Sequence, residues 1–165
     1  MALLLHYYNQ TANFGDALCP LLVEKLSGRK VVPSHPRTAE LIAAGSVLFA
    51  GSALFLEKSR LTSIYGIGKL LLKGLDMFQA TLNIWGSGFL MDSGARDVIK
   101  IRRAKVWAIR GKKSLEILRR TGFVKPEDVE NIALGDPGLL FPQLLQEKPP
   151  KRHDLGIVPH FLDRG

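Results

Sequence analysis

The sequence predicts an α/β fold, a Rossmann-like parallel sheet with flanking helices. The first observation is an apolar run of strand length at Ala2–Tyr7, which a polar loop separates from an apolar-periodic segment that stops at Gly28. The second is that two later apolar runs of strand length also end in a Gly-Ser loop. The third is composition: 46% hydrophobic and 23% charged residues among 165 are typical of one soluble globular domain with little beyond it.

The first predicted helix follows the loop from His6 to Asp16. Asp16 is a favourable N-cap residue, and Gly28 suits a left-handed C-cap. Because ligands of open α/β sheets bind at the carboxyl ends of strands, this loop lies where a ligand would bind, although a purely structural crossover remains the alternative. The apolar residues that predict the buried face of the helix are Ala17, Leu18, Leu21, Leu22, Val23 and Leu26.

Two later strands, predicted over 40–44 and 81–85, run into glycine and serine. Glycine lets a ligand approach the backbone closely, and serine can donate to an anion or cap a helix. The residues after these two strands are Gly45, Ser46, Gly86, Ser87 and Gly88. Gly86-Ser87-Gly88 does not complete a dinucleotide fingerprint, because Met91 occupies the place of the third glycine. Gly66-Ile67-Gly68 fails likewise, with Leu71 at that place, so no cofactor is expected.

The positive charge of the chain is concentrated in one segment. The formal net charge is +8, and the segment from Lys100 to Arg120 contains nine cationic residues and a single acidic one. A buried strand is predicted at Lys105–Ile109 and a helix at Gly111–Thr121, so Arg110 lies at a strand's carboxyl end beside a helix N-terminus, where it could hold a phosphate or carboxylate. Nucleic acid is not expected as a partner, because aromatic residues do not alternate with the cations.

A short strand is predicted to enter a turn near residue 135. Asp136 is predicted to cap a helix whose first turn contains Pro137. We assign residues 1–145 to the Rossmann-like domain and 146–153 to a linker. Residues 154–165 are expected to begin a truncated second half or to supply a strand that completes the first sheet.

The lone cysteine, Cys19, excludes an intramolecular disulfide, and its apolar neighbours favour a buried structural thiol over a nucleophile. No metal site is predicted. The N-terminus lacks the features of a signal peptide, so a cytoplasmic location is expected. The amphipathic segment 61–80 favours a core or interface helix, and peripheral contact with a membrane and a homo-oligomer are left open.

In their order and spacing, these motifs resemble the polysaccharide pyruvyl transferase family over nearly the whole chain. The segments that carry the resemblance are Asn13-Phe14-Gly15-Asp16, Ala44-Gly45-Ser46, Trp85-Gly86-Ser87-Gly88-Phe89, Val106–Ser114 around Arg110, Gly135–Leu140 and Ile157–Phe161. The resemblance implies the N-terminal half of a glycosyltransferase-B-like architecture, in which two Rossmann-like halves enclose the site. It also implies transfer of a pyruvyl group from phosphoenolpyruvate to two sugar hydroxyls of an exopolysaccharide or cell-wall glycan, leaving a cyclic ketal.

This activity implies a donor, phosphoenolpyruvate, and a saccharide or lipid-linked glycan acceptor. The donor carries a phosphate and a carboxylate, so its site needs cations and oriented N–H groups. The candidate substrate-binding residues are Asn13, Gly15, Gly45, Ser46, Gly86, Ser87, Gly88, Arg110 and Asp136. Ketal formation also needs a proton donor, for which the candidates are Asp16, with a capping role as its alternative, and His160.

Two other functional classes share these motifs. One is a non-catalytic interaction module of exopolysaccharide assembly, and the other is a glycosyltransferase that uses a nucleotide sugar. Nearly all of the second half implied by the resemblance is missing after Gly165. We therefore expect either the front portion of a longer protein or a compact homologue, and a chain that is incomplete as an enzyme.

Overall fold

The computed structural model describes residues 1–10, 13–36, 38–48, 55–57, 81–89, 98–100, 103–145, 147 and 150–157. In chain order the helices and strands are β1 (Leu3–His6), α1 (Phe14–Ser27), β2 (Val31–Pro33), β3 (Leu41–Ala43), β4 (Phe55–Glu57), β5 (Leu82–Ser87), β6 (Val98–Lys100), β7 (Ala104–Ile109), α2 (Lys112–Arg120), a first 3-10 helix (Pro126–Asn131), β8 (Ala133–Leu134) and a second 3-10 helix (Pro137–Leu144).

Six of these strands form one parallel sheet in the order β2-β1-β3-β5-β7-β8, while β4 and β6 form a separate antiparallel pair. The predicted parallel sheet with flanking helices is thereby confirmed. The chain runs from β1 to β2 on one side and then returns to place β3 on the other side of β1. This reversal creates a switch point between β1 and β3, as in the flavodoxin-like order of doubly wound folds.

Helices cover both faces of the sheet. On one face, Leu5 and Ala43 pack with Cys19 and other residues of α1. On the opposite face, Ile42 packs in a cluster with Leu118 of α2. Since Ile42 and Ala43 are consecutive in β3, the strand alternation sends one side chain to each core.

Helix α1 buries a narrower face than its sequence predicts. Its buried residues are Cys19, Leu22 and Val23, a stripe of the kind that faces a sheet. Leu21 and Leu26 are about half exposed, and only two of the six residues predicted for the buried face are buried. The broad-face prediction is wrong because helical periodicity locates an apolar stripe but does not fix how much of it the sheet covers. The predicted C-cap is confirmed, with Gly28 at φ 65°.

Strand β7 is only half buried, which corrects the prediction of a buried strand at Lys105–Ile109. Lys105 and Trp107 are exposed, whereas Ala108 and Ile109 are buried. The indole Nε1 of Trp107 donates to Asn83 Oδ1 at 2.9 Å, and the Lys105 ammonium lies 3.6 Å from the ring centroid. Cation–π and hydrogen-bond contacts therefore hold the indole without covering it.

The C-terminal predictions are only partly covered by the described residues. Residues 150–157, which include the second half of the predicted linker and the start of the strand expected within 154–165, belong to no helix or strand and are exposed. Residues 158–165, with His160, lie outside the described residues, as does the amphipathic segment 61–80.

The second 3-10 helix begins directly on the carboxyl end of β5. Gly86 has φ 68°, in the left-handed region, and a Cβ built there would overlap the ring of Pro137. Pro137 is buried, and its helix also packs against α1. Glycine at position 86 is therefore required by the approach of Pro137.

The change Gly86→Ala is expected to lower the free energy of unfolding by about 2–5 kcal/mol. A left-handed backbone costs an L-residue about 1–2 kcal/mol, and the overlap with Pro137 adds about 1–3 kcal/mol. Urea denaturation measures the loss. The matched control is Gly28→Ala, which has nearly the same φ, 65°, and open space around the new methyl group. Equal losses in the two variants would contradict a steric role for Pro137.

Candidate functional site

The carboxyl ends of the parallel strands bring four polar side chains to one edge of the sheet. Ser46 follows β3, Arg110 follows β7, Asp136 follows β8, and Asp16 lies in the first turn of α1 after β1. We call these four residues the carboxyl-edge cluster. It lies at the edge where doubly wound folds bind their ligands, beside the switch point between β1 and β3.

Arg110 is the central residue of the cluster. Its Nη2 donates to Ser46 Oγ, and its Nη1 lies 3.5 Å from Asp136 Oδ2. Its backbone N–H donates to the Ser87 carbonyl at 2.8 Å. The side chain remains 39% exposed. The guanidinium is thus held by the loops after β3 and β8 while part of it still faces solvent.

Asp136 uses its two carboxylate oxygens for different tasks. Oδ1 accepts the N–H of Gly138 at 2.8 Å and so caps the second 3-10 helix, as the sequence predicts, while Oδ2 faces Arg110. One carboxylate therefore connects the start of a helix to the guanidinium.

Asp16 does not cap α1, so the prediction that it is the N-cap residue is wrong. The N-cap is Asn13, whose Oδ1 accepts the N–H of Gly15 at 2.9 Å. Asn is as favourable a cap as Asp, so the helix begins at Phe14 and Asp16 falls in its first turn. Sequence reasoning missed this because both residues precede a helical pattern. The Asp16 carboxylate is consequently not committed to a helix cap.

The surroundings of Asp16 alter its acidity. Partial burial raises the pKa of its carboxyl, and the nearby charge of Arg110 opposes that rise. Gly45 has φ 65°, and a Cβ built there would lie 3.1 Å from Asp16 Oδ1. The loop after β3 therefore passes close to the carboxyl group.

The second glycine loop, Gly86-Ser87-Gly88, contacts other parts of the chain. Ser87 is fully buried, and its Oγ donates to the Ala44 carbonyl at 2.9 Å. Gly88 is also buried and donates its N–H to the Gly45 carbonyl at 3.0 Å. With Pro137 against Gly86, these contacts fasten the loops after β3 and β5 to each other.

The predicted site residues thus divide into two groups. Asp16, Gly45, Ser46, Arg110 and Asp136 meet at the carboxyl edge. The residues engaged in capping or in loop-to-loop contacts are Asn13, Gly15, Gly86, Ser87 and Gly88. His160 lies outside the described residues.

Ser114 is a buried polar residue that sequence reasoning missed. Its Oγ, in the first turn of α2, accepts the backbone N–H of Phe89 at 3.1 Å. A Cβ built on Gly88 would lie 3.1 Å from the same oxygen. The sequence signal that could have identified it is a serine in the first turn of a predicted helix, because serine side chains there commonly form hydrogen bonds with backbone groups.

Cys19 and His6 are buried or half-buried groups outside the cluster. Cys19 is buried with Sγ 3.2 Å from the Ala43 carbonyl oxygen, and burial, with lesser contributions from Asp16 and Asp136, raises its pKa to about 12. This confirms the structural thiol. Burial also lowers the pKa of His6, whose Nδ1 lies 3.1 Å from the Ser34 carbonyl oxygen.

Among the residues that the structure describes, no group of three or more His, Cys, Asp or Glu side chains could hold a metal ion. The helices found there are all too short or too polar to cross a bilayer.

The chain has a distant relative among known proteins. The chain is 26% identical over 162 residues to an uncharacterised protein of Acanthamoeba polyphaga mimivirus. The match covers 97% of this chain but 46% of that protein, so the chain spans about half the length of this relative. No protein-family model matches the chain, and no solved structure matches it.

The Cys19 thiol is expected to be inert in the folded protein. With a pKa of about 12 its thiolate fraction at pH 8 is about one in ten thousand, and the sulfur is buried. Alkylation by iodoacetamide should therefore be at least about 100-fold slower in native protein than in urea-unfolded protein. Mass spectrometry follows a single thiol, and similar rates in the two states would contradict its burial.

The change Asp16→Asn is expected to alter how stability depends on pH. Because the folded-state pKa is raised, folding is favoured most when Asp16 is protonated. That contribution is complete below the unfolded pKa of about 3.9 and is lost as pH rises through the folded pKa. The unfolding free energy of the variant minus that of wild type should therefore increase from pH 4 to pH 7.

Urea denaturation at several pH values measures this difference. Asp128→Asn, at an exposed position near the start of the first 3-10 helix, controls for removing a carboxylate at a helix start. A difference that stays constant or decreases with pH would show that burial does not penalise the Asp16 carboxylate.

Proposed function

We propose that this chain is the donor-binding, N-terminal half of a polysaccharide pyruvyl transferase of glycosyltransferase-B-like architecture. Phosphoenolpyruvate binds at the carboxyl-edge cluster, and its pyruvyl group passes to two hydroxyls of an exopolysaccharide or cell-wall glycan. The observation that carries the proposal is the placement of Arg110, between Ser46 and Asp136 and beside Asp16, at the edge that binds ligands in this class of fold.

The state of Arg110 suits the capture of an anion. Guanidinium has five N–H donors, of which Ser46 and Asp136 engage only part. The 3.5 Å contact to Asp136 is longer than the roughly 2.7–2.9 Å of a strong charge-assisted hydrogen bond. A carboxylate or phosphate that approaches the exposed side of Arg110 can therefore form better hydrogen bonds than the existing pair.

Asp16 is suited to supply the proton that starts the reaction. Its carboxyl transfers the proton to the methylene carbon of phosphoenolpyruvate, which becomes a methyl group and leaves the neighbouring carbon cationic. A sugar hydroxyl attacks that carbon, and its proton passes to the Asp16 carboxylate. The carbon–oxygen bond to phosphate then breaks, with the electron pair leaving on phosphate, and a second hydroxyl closes the ketal while its proton passes to the released phosphate. A carboxyl with a raised pKa is a stronger candidate for this role than a fully solvated one.

The substitution Arg110→Ala is expected to weaken phosphoenolpyruvate binding at least about tenfold, because it removes the principal cation of the site. Isothermal titration calorimetry on the whole chain measures the dissociation constant. Arg110→Lys should give an intermediate loss, since lysine keeps the charge without the planar fork. The matched control, Arg119→Ala, removes an exposed cation from the last turn of α2 and should bind as wild type does.

Three outcomes would contradict the proposal. Equal losses in the Arg110 and Arg119 variants would indicate unspecific attraction to the basic segment. Binding of a nucleoside diphosphate sugar without binding of phosphoenolpyruvate would favour a glycosyltransferase. No heat with either ligand would favour a non-catalytic interaction module. Phosphate release from phosphoenolpyruvate in the presence of a β-galactoside then measures what turnover the chain supports alone.

A further inference from the structure

The carboxyl-edge cluster contains more acid than base. Two carboxylates, Asp16 and Asp136, flank the single guanidinium of Arg110, and Ser46 adds no charge. With both carboxyls ionised, the cluster bears a net charge of −1, from two acids and one base. A ligand with two or three negative charges meets a repulsive site unless one carboxyl is neutral.

The carboxyl groups of Asp16 and Asp136 differ in their hydrogen-bond and ion-pair partners. Asp136 accepts the Gly138 N–H with one oxygen and faces Arg110 with the other, so both of its carboxylate oxygens are engaged. Asp16 is relieved of capping by Asn13, and no hydrogen bond from the described residues reaches its carboxyl. Asp16 is therefore the group that can accept a proton without the loss of an existing contact.

The charged and titratable groups on the elements around Asp16 reinforce this difference. Arg110, after β7, favours the ionised carboxyl in the empty site, but a bound anion neutralises that influence. Asp136, before the second 3-10 helix, repels a second negative charge. Cys19, one turn further along α1, stays neutral at ordinary pH. His6, at the end of β1, is turned to the Ser34 carbonyl.

We propose that phosphoenolpyruvate binds to this chain together with one proton, which Asp16 takes up from solvent and holds facing the ligand. The inference rests on the proposed function and adds proton uptake to its donor-binding step. Anion binding and protonation of Asp16 are reciprocally linked. A protonated Asp16 does not repel the anion, and a bound anion makes it unfavourable for Asp16 to be ionised. The chain therefore acquires the reactive proton in the same step that captures the donor.

Calorimetry in buffers of different ionisation enthalpy tests this coupling. Phosphoenolpyruvate is titrated into the whole chain at pH 8, where its own phosphate is almost fully ionised, in buffers such as Tris, HEPES and imidazole. The slope of the observed enthalpy against the buffer ionisation enthalpy gives the number of protons taken up. The wild-type chain should take up close to one proton more than Asp16→Asn, whose neutral amide imitates the protonated acid.

The affinities give an independent readout. Between pH 7 and pH 9 the dissociation constant of wild type should increase by up to about tenfold per pH unit, as expected when one proton is bound with the ligand. Asp16→Asn should bind at least as tightly as wild type at pH 8 and change little with pH. Asp128→Asn is the matched control and should follow wild type in both measurements.

Each result has a distinct meaning. No heat with phosphoenolpyruvate would overturn the proposed function and the coupling together. Binding with equal proton uptake in wild type and Asp16→Asn, or weaker binding by Asp16→Asn at pH 8, would overturn the coupling and leave the donor site in place. A difference of about one proton, with tight and pH-independent binding by Asp16→Asn, supports both.

Discussion

The contact between the ring of Pro137 and the bare backbone of Gly86 organises the whole carboxyl edge of the sheet. It places the second 3-10 helix on the end of β5 and against α1, which carries Asp16. The cap of that helix is Asp136, so the same contact determines where the Asp136 carboxylate meets Arg110. A packing contact between a proline ring and a glycine backbone thereby helps to position one carboxylate of the charged cluster.

Features that depend on short stretches of sequence were predicted well. Strand length, loop polarity and a proline after an aspartate are local signals, and they located the parallel sheet, Arg110 at the end of β7 and the cap at Asp136. The choice between Asn13 and Asp16 as the cap of α1 was not predictable in this way. Both residues are good caps and lie within one turn of each other, so cap preference alone does not choose between them.

The glycine loops show a second limit of local reasoning. Glycine after a strand indicates that something approaches the backbone, but not whether that is a ligand or another part of the chain. At Gly45 the neighbour is a carboxyl of the candidate site, whereas at Gly86 it is Pro137, which lies 51 residues later in the sequence. The same limit explains why the exposure of Leu21 and Leu26 in α1 was not predicted. The sequence of a helix does not specify how much of the helix the sheet beneath it covers.

The burial of Cys19 behind Ala43 has a practical consequence for work on this molecule. Because the native thiol is the only one in the chain and is shielded, a cysteine introduced at an exposed position would be the single site that a maleimide dye or spin label modifies. The natural cysteine would not need to be replaced, so its packing with Leu5 and Val23 would stay intact. The mobility and solvent exposure of the carboxyl edge could then be followed spectroscopically in an otherwise unaltered core.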